Sequence, residues 1–145
     1  MKIRPWTFED LTTIAELEKD CFPQAPWSVQ MLADSFLSGR FFGFLTEEEG
    51  IITAYGGVSV LFEEAEIERI ATAEAYRRCG RGQEILSALL NEAKQRGAEK
   101  VFLEVRVSNA PAQMLYLKNG FVGQYARSRY YPDGEDAIVM KKTIG

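Results

Sequence analysis

The chain contains no histidine, and this absence removes several kinds of catalytic site. Nucleophile pairs of the Ser-His-Asp or Cys-His type need an imidazole, and so does the HExxH helix of zinc enzymes. Any proton transfer must therefore fall to a carboxylate, tyrosine, cysteine, lysine or water. The composition alone thus excludes a large part of hydrolytic and zinc chemistry.

Cysteine is also scarce, because Cys21 and Cys79 are the only two in the chain. Two cysteines so far apart in sequence do not suggest a disulfide scaffold or a zinc site, and we expect no metal site. The sequence also lacks a run of about 18 apolar residues and a basic-then-apolar leader, so neither a membrane span nor a signal peptide is visible. We therefore expect a cytoplasmic protein with no membrane partner.

The remaining composition is that of an ordinary globular protein, with 46% apolar and 26% charged residues. A chain of this length buries roughly 70% of its unfolded surface, so residues 1–145 are expected to form one domain with its own core. The net charge of −4 disfavours a broad nucleic-acid surface, and we expect no nucleic-acid partner.

Hydrophobic periodicity and turn residues predict seven strands and four helices. Thr7, Ser28 and Asn109 are predicted helix N-caps, and Gly97 is predicted to end the third helix. The order of elements predicts a mixed α/β or α+β domain with a central, mostly antiparallel sheet and one parallel step. The predicted strands are 2–6, 41–46, 51–62, 65–72, 101–107, 121–131 and 137–142.

The strongest functional signal is the stretch IERIATAEAYRRCGRG at 67–82, where a strand leads through a turn into a helix. The first N–H groups of a helix lack internal partners, the helix dipole is positive at that end, and glycines allow close approach of a ligand. Arg77, Arg78 and Arg81, with Arg69, form a local basic patch. The turn is therefore predicted to bind a multiply charged anion such as a phosphate group.

Three kinds of phosphate site can be compared with this turn. A P-loop, the site for nucleotide phosphates, is excluded because GxxxxGK[ST] occurs nowhere in the chain. A dinucleotide site is closer, since Gly80-x-Gly82 opens a helix and Glu104 stands where a ribose-binding acid would, but Ile85 occupies the third glycine position. Coenzyme A remains, because its pyrophosphate and 3′-phosphate suit one helix N-terminus with several arginines.

At this point the residues carry a family resemblance. Arg77-x-x-Gly80-x-Gly82 resembles the R/Q-x-x-G-x-G/A signature of the GCN5-related N-acetyltransferases (GNAT), and the order of elements is similar over essentially the whole chain. Thr72 and Glu74, beside the turn, depart from the family's usual apolar residue and proline. The resemblance is closest to the bacterial ribosomal-protein alanine N-acetyltransferases, the RimI type, in LEVRVSNA at 103–110, LYLKNGF at 115–121, FP at 22–23, PWS at 26–28, RYY at 129–131 and EDA at 135–137.

The resemblance implies acetyl-CoA as the donor and the α-amino group of a protein N-terminus as the acceptor, with ribosomal protein number eighteen of the small subunit as the family's usual target. It assigns Glu104 as general base and Tyr116 as general acid. The residues expected to contact the cofactor, in part through backbone N–H groups, are Ile70, Ala71, Thr72, Arg77, Arg78, Cys79, Gly80, Arg81, Gly82, Gln83 and Asn109.

Several of these residues have a structural alternative. Glu104 could form a salt bridge with an arginine, and Tyr116 could be a core aromatic of an amphipathic helix. Trp27, Tyr130 and Tyr131 are candidates for an acceptor groove, because aromatic side chains give large contact area, but they could also be packing residues. Cys79 lies in the turn, yet nothing in the sequence would activate it, so direct attack by the amine is the simpler scheme.

Three functional hypotheses follow. The first is an acetyl-CoA-dependent acetyltransferase acting on a protein N-terminal alanine. The second keeps the same cofactor chemistry with a small-molecule amine or an internal lysine as acceptor. The third is a non-catalytic module that binds coenzyme A.

Overall fold

The computed structural model describes all residues from Met1 to Gly145. Seven strands and four helices follow one another in the predicted order, with short 3-10 turns at Phe8–Asp10 and Glu74–Tyr76. The elements are β1 (Lys2–Pro5), α1 (Leu11–Cys21), α2 (Val29–Leu37), β2 (Phe41–Glu48), β3 (Ile51–Leu61), β4 (Glu64–Thr72), α3 (Arg81–Gln95), β5 (Lys100–Arg106), α4 (Ala110–Lys118), β6 (Val122–Arg127) and β7 (Ala137–Thr143).

All seven strands join one sheet in the order β1-β2-β3-β4-β5-β7-β6. Every neighbouring pair is antiparallel except β4 and β5, which are parallel because α3 carries the chain back to the same end of the sheet. The predicted fold class, a mostly antiparallel sheet with one parallel step, is therefore confirmed. None of the four helices is both long enough and apolar enough to cross a membrane.

The helices cover the two faces of the sheet and form two cores. On one face, α3 buries Ile85, Leu86 and Leu89 in the same cluster as Leu103 of β5. On the other face, α1 and α2 pack with Trp6, Phe41 and Tyr55 in a second cluster. Alternate side chains of a strand point to opposite faces, so β4 and β5 contribute one set of residues to each face.

The predicted helix boundaries hold at the caps that can be recognised locally. The Ser28 hydroxyl accepts a hydrogen bond from the Met31 N–H at 3.2 Å, and Gly97 ends α3 with a φ of +92°. Thr7 instead begins a 3-10 turn, and α1 starts four residues later at Leu11.

Two strand predictions need correction. The strand predicted at 41–46 continues through Glu48, and its two added residues, Glu47 and Glu48, form ion pairs with Arg4 and Arg81. The strand predicted at 121–131 ends at Arg127, and the following residues form a loop.

Paired glycines in β3 allow close packing on both faces of the sheet. A Cβ on Gly56 would lie 2.6 Å from Ile85 Cγ2 of α3, and a Cβ on Gly57 would lie 2.0 Å from Cζ of Phe41. Heavy atoms do not approach this closely, so the helix on one face and the ring on the other both depend on the missing side chains. Gly56 therefore sets the distance between α3 and the sheet, and Gly57 makes room for the Phe41 ring on the other face.

We predict that Gly57→Ala lowers the free energy of unfolding by about 1–3 kcal/mol, because the Phe41 ring must leave its position to admit the methyl group. Gly123→Ala in the edge strand β6 is the matched control, since a Cβ there meets only Ile138 Cγ2 at 3.9 Å. Urea unfolding followed by circular dichroism measures both variants. Equal stability of the two would contradict the packing role assigned to Gly57.

Candidate active site

A cleft opens in the middle of the sheet where β4 and β5 separate. The two strands pair only over Glu64–Glu66 and Lys100–Phe102, and beyond these residues they diverge. The resulting cleft has a volume of about 590 Å³ and is lined by both strands, by α4 and by the loops at 22–27 and 130–135. Its lining includes residues of the core beneath α3, such as Leu103 and Tyr116, and residues of the opposite face, such as Trp27.

A β-bulge in β4 lies beside this separation. The register with β3 shifts between Gly57 and Val58, so Glu68 has no residue opposite it. Bulges bend the strand that contains them, and this bend accompanies the divergence of β4 from β5. The Glu68 carboxylate accepts a hydrogen bond from the Ser59 hydroxyl at 3.0 Å.

Three carboxylates meet in the cleft, Glu66 and Glu68 from β4 and Glu104 from β5. Burial, together with the negative charges of Glu68 and Glu104, raises the pKa of Glu66 to about 7. Burial also raises the pKa of Glu68. The cluster can therefore exchange a proton near neutral pH, and it favours a positively charged group in the cleft.

Glu104, the predicted general base, lines this cleft and contacts one arginine. Arg127 Nη1 lies 3.5 Å from Glu104 Oε1, which is a long contact between partly exposed groups. The salt bridge considered as an alternative is therefore present but weak. It leaves the carboxylate accessible from the cleft.

Tyr116, the predicted general acid, belongs both to the core and to the cleft. Its ring packs edge-on against Phe121 with centroids 5.7 Å apart, and it also lines the cleft from α4. Burial raises the pKa of Tyr116 to about 12, so the phenol stays protonated at neutral pH. The phenol therefore holds a proton that it can donate in this site.

The position of α4 is fixed at both ends by side-chain amides. Asn109 lines the cleft and caps α4, where its Oδ1 accepts from the Ala112 N–H at 3.2 Å. At the other end, Asn119 and Gln83 exchange two hydrogen bonds of 2.7 and 2.8 Å. The Gln83 side chain is therefore engaged with α4, and only its backbone N–H remains for the predicted cofactor contact.

The loop at 22–27, between α1 and α2, is anchored through Arg69 of β4. The Arg69 guanidinium lies 4.0 Å from the Phe22 ring centroid and 4.5 Å from that of Trp27. It also donates to the Ala25 carbonyl at 2.8 Å. Arg69 therefore faces this loop, which corrects its predicted place in the basic patch beside α3.

The partner of Arg69 is Glu18, a carboxylate of α1 that is completely buried. Glu18 accepts hydrogen bonds from Arg69 Nε at 3.2 Å, from the Tyr55 hydroxyl at 2.6 Å and from the Trp27 N–H at 2.8 Å. A buried carboxylate is tolerated only when it is paired and hydrogen-bonded in this way. The group ties α1, β3, β4 and the loop together.

A second arginine, Arg106 of β5, holds the loop between β6 and β7. It forms ion pairs of 2.9 Å with Asp133 and with Glu135, and its guanidinium lies 4.0 Å from the Tyr131 ring centroid. The neighbouring Tyr130 stacks on Arg127 at 4.6 Å. The structure thus brings Trp27, Tyr130 and Tyr131 to the same cleft from two different loops.

The predicted anion turn precedes α3 and contains strained backbone. Gly80 and Arg78 have φ values of +80° and +65°, and Arg78 is one of few non-glycine residues in this region. Arg77 and Arg78 have no carboxylate within ion-pair distance, whereas Arg81 pairs with Glu48 of β2. Two of the four predicted arginines therefore keep an unpaired charge beside the helix N-terminus.

The remaining predicted cofactor residues lie along β4 and the turn. Thr72, Ala71 and Ile70 pair with β3 on one side, and their other side faces the gap left by β5. Gly82 lies in the first turn of α3, with Leu115 as its nearest side chain at 3.6 Å from a Cβ built on it. Cys79 is exposed, and its sulfur lies 3.5 Å from the Arg77 carbonyl oxygen.

Sequence reasoning missed Glu66, Glu68, Glu18 and Arg106. Glu66 and Glu68 are two residues apart in a strand, which normally places both side chains on one face, but the bulge makes their relation invisible in the sequence. The side-chain partners of Glu18, Tyr55 and Arg69, lie 37 and 51 positions away in the chain, and those of Arg106, Asp133 and Glu135, lie 27 and 29 positions away, so no local pattern marks either residue.

Comparisons with known proteins agree with this architecture. The model of the Acetyltransferase (GNAT) family matches residues 11–121. The ribosomal protein bS18-alanine N-acetyltransferase of Escherichia coli is 36% identical over 147 aligned positions, covering 92% of this chain and 99% of the relative. The corresponding enzyme of Haemophilus ducreyi is 32% identical, covering 91% and 92%.

A solved structure gives the same result for the fold. The crystal structure of the ribosomal-protein alanine N-acetyltransferase from Escherichia coli superposes with a TM-score of 0.90 at 34% identity. The superposition covers 99% of this chain and 94% of that one. The likeness therefore extends over nearly the whole of this chain.

We predict that Glu18→Gln lowers the free energy of unfolding by about 3 kcal/mol or more, because it leaves the Arg69 charge partly buried without a counter-charge. Tyr55→Phe is the matched control, since it removes one neutral donor from the same carboxylate while the ion pair stays, and it should cost less, about 1.5 kcal/mol. Urea unfolding gives both values. Hydrogen exchange of the Trp27 amide should accelerate more in Glu18→Gln, and equal effects of the two variants would contradict the ion-pair anchor.

Proposed function

The chain belongs to the acetyltransferase (GNAT) family and is an acyltransferase, and we propose that it transfers the acetyl group of acetyl-CoA to the α-amino group of an N-terminal alanine in a protein. The observation that carries this proposal is the meeting of Glu104 and Tyr116 in one cleft, at the point where β4 and β5 separate. Similarity to enzymes named for the alanine of ribosomal protein bS18 supports a small-subunit ribosomal protein as the acceptor.

The turn before α3 fits the pyrophosphate of the donor. No heavy atom lies within 4 Å of a Cβ built on Gly80, so a phosphate has room to approach the backbone. The first N–H groups of α3 are unpaired by the geometry of a helix, and Arg77 and Arg78 supply charge. The edge of β4 that faces the gap at 70–72 and the Asn109 side chain are available for the pantetheine arm, except for the Thr72 carbonyl, which accepts from Arg77 Nε at 3.1 Å. Acetyl-CoA bound there supplies a thioester.

The carboxylate cluster prepares the acceptor amine. A peptide α-amine has a pKa of ~7.7–8.0, against ~10.4 for the lysine side chain, so a weak base is enough to remove its proton near neutral pH. Glu66, Glu68 and Glu104 attract the ammonium form into the cleft. Glu104 then accepts its proton, directly or through a water molecule, and frees the nitrogen lone pair for attack on the thioester carbonyl.

Tyr116 completes the reaction by protonating the departing thiolate. Its pKa of about 12 lies above the ~8.5 of an ordinary thiol, so the transfer is uphill by roughly 3–4 pKa units in these reference values. Burial raises the pKa of a thiol as well, which narrows the difference inside the cleft. The carbonyl oxygen that becomes negative needs N–H donors, and the unpaired edge of β4 supplies them.

The two anchored loops form the walls for the acceptor. Trp27 is positioned by its N–H bond to Glu18 and by Arg69, and Tyr131 by Arg106. These aromatic side chains give contact area on two sides of the cleft, where the first residues of the acceptor would lie.

The acceptor class is tested by release of free thiol from acetyl-CoA. We expect release with a short basic peptide that begins with alanine, and no release when the N-terminus of that peptide is blocked, because the α-amine is then unavailable. Equal release from both peptides would assign the reaction to lysine side chains or to hydrolysis. No release from either peptide would contradict the N-terminal proposal and leave a small-molecule amine.

We predict that Glu104→Gln and Tyr116→Phe each lower kcat by about 10²–10⁴-fold, because each removes one proton-transfer group. The Kd of acetyl-CoA should change little, since neither side chain belongs to the turn before α3. Glu9→Gln is a control on the exposed surface, outside the cleft. Steady-state kinetics measures kcat, and calorimetry measures the Kd of acetyl-CoA. Full activity of both variants would overturn these roles.

A further inference from the structure

A second groove lies on the sheet next to the candidate active site. In β4 and β5, Ala65, Ile67 and Leu103 point into the core beneath α3, so Glu66, Phe102 and Glu104 point to the opposite face. Helices α1 and α2 cover the β1–β4 part of that face, and the part next to β6 and β7 is open. The groove there has a volume of about 690 Å³.

This groove is continuous with the catalytic cleft, because Glu66 and Glu104 line both of them. A polypeptide whose terminal nitrogen lies at Glu104 must leave the cleft along some surface, and the groove begins at that same carboxylate. An extended chain advances about 3.3 Å per residue, so several residues beyond the first can lie in a groove of this size. No other element of the chain occupies it.

The charge of the groove is unbalanced. Its lining includes Glu63, Glu64, Glu66 and Glu104, with Arg40 as the only cationic side chain. The glutamates at 63, 64 and 66 have no ion-pair partner within 4 Å, unlike the carboxylates that hold the loops. A cationic ligand would supply the missing counter-charge, and an anionic one would be repelled.

Two aromatic side chains stand at the rim. Phe62, in the turn between β3 and β4, is 82% exposed and has a φ of +56°, a conformation that non-glycine residues rarely adopt. Tyr125 of β6 is 62% exposed on the other side. Exposed rings on either side of a groove are suited to contact with the stems of long cationic side chains and with aromatic residues.

We infer that this groove holds the segment of the acceptor polypeptide that follows its N-terminal residues, and that it selects a basic segment. The inference rests on the proposed function, because it assumes a free protein N-terminus at Glu104. It adds a determinant of specificity that lies outside the catalytic cleft. The first residue is then read by the two loops, and the following segment is read by the sheet.

Kinetics with acceptors of different length and charge test this inference. Three octapeptides share their first three residues and continue with lysine-rich, neutral or glutamate-rich tails, and a tripeptide amide ends before the groove. We expect KM for the lysine-rich peptide to be about tenfold below that of the neutral one, with similar kcat. The glutamate-rich peptide should have the highest KM.

Glu63→Lys combined with Glu64→Lys reverses the charge of the groove at two exposed positions. This variant should raise KM for the lysine-rich peptide about tenfold, lower it for the glutamate-rich peptide, and leave the tripeptide unchanged. The control is Glu9→Lys combined with Glu16→Lys, which changes the net charge by the same amount at residues that line neither the catalytic cleft nor the groove. An unchanged KM in the groove variant, or an equal change in the control, would refute the inference.

Binding of reaction product separates this inference from the proposed function. The lysine-rich octapeptide, already acetylated at its N-terminus, should shift the NMR signals of Phe62 and Tyr125, and the groove variant should weaken that binding. Absence of transfer to every peptide would refute the proposed function while this binding is measured independently. If the signals of both rings stay unchanged, the groove assignment is wrong. It is also wrong if the signals shift because the protein self-associates and not because the peptide binds.

Discussion

The early end of pairing between β4 and β5 is the constraint on which the site depends. A parallel pair normally continues along both strands, but here it stops after three residues on each side. The backbone groups beyond that point face a cleft instead of a neighbouring strand, and buried backbone groups without partners are costly. A ligand that runs between the strands can satisfy them. The sheet therefore carries a binding site because its own ladder is incomplete.

The loops beside the separation are held in place by two arginines, one from each strand. Arg69 of β4 and Arg106 of β5 each stack on loop aromatics and pair with carboxylates. They hold the loops at 22–27 and 130–135 on either side of the gap. The buried pair with Glu18 is the more demanding of the two, because both charges have lost much of their hydration. Its value here is position, since it fixes Trp27 through a backbone N–H.

The distribution of paired and unpaired charge separates structure from chemistry. Carboxylates that hold elements together, such as Asp10, Glu18 and Glu135, lie in ion pairs, and Arg4 lowers the pKa of Asp10 to about 2. Glu66 and Glu68 have no such partner, and burial raises the pKa of each. The same kind of side chain is therefore inert in one place and able to exchange protons near neutral pH in another.

The sequence predicted what depends on local periodicity and on short motifs. Strand alternation around Leu103 and the caps at Ser28 and Asn109 follow from neighbouring residues, so the fold class and most element positions were correct. The loop after Arg127 was predicted as strand, because its aromatic residues favour a strand. The residue that holds this loop is Arg106, which stacks on Tyr131 and lies far from it in the sequence. The pairing of Arg69 with Glu18 spans 51 positions and has no local signature. Long-range charge pairing thus decides which of the predicted side chains reach the cleft, and this is the part of the site that only three-dimensional structure reveals.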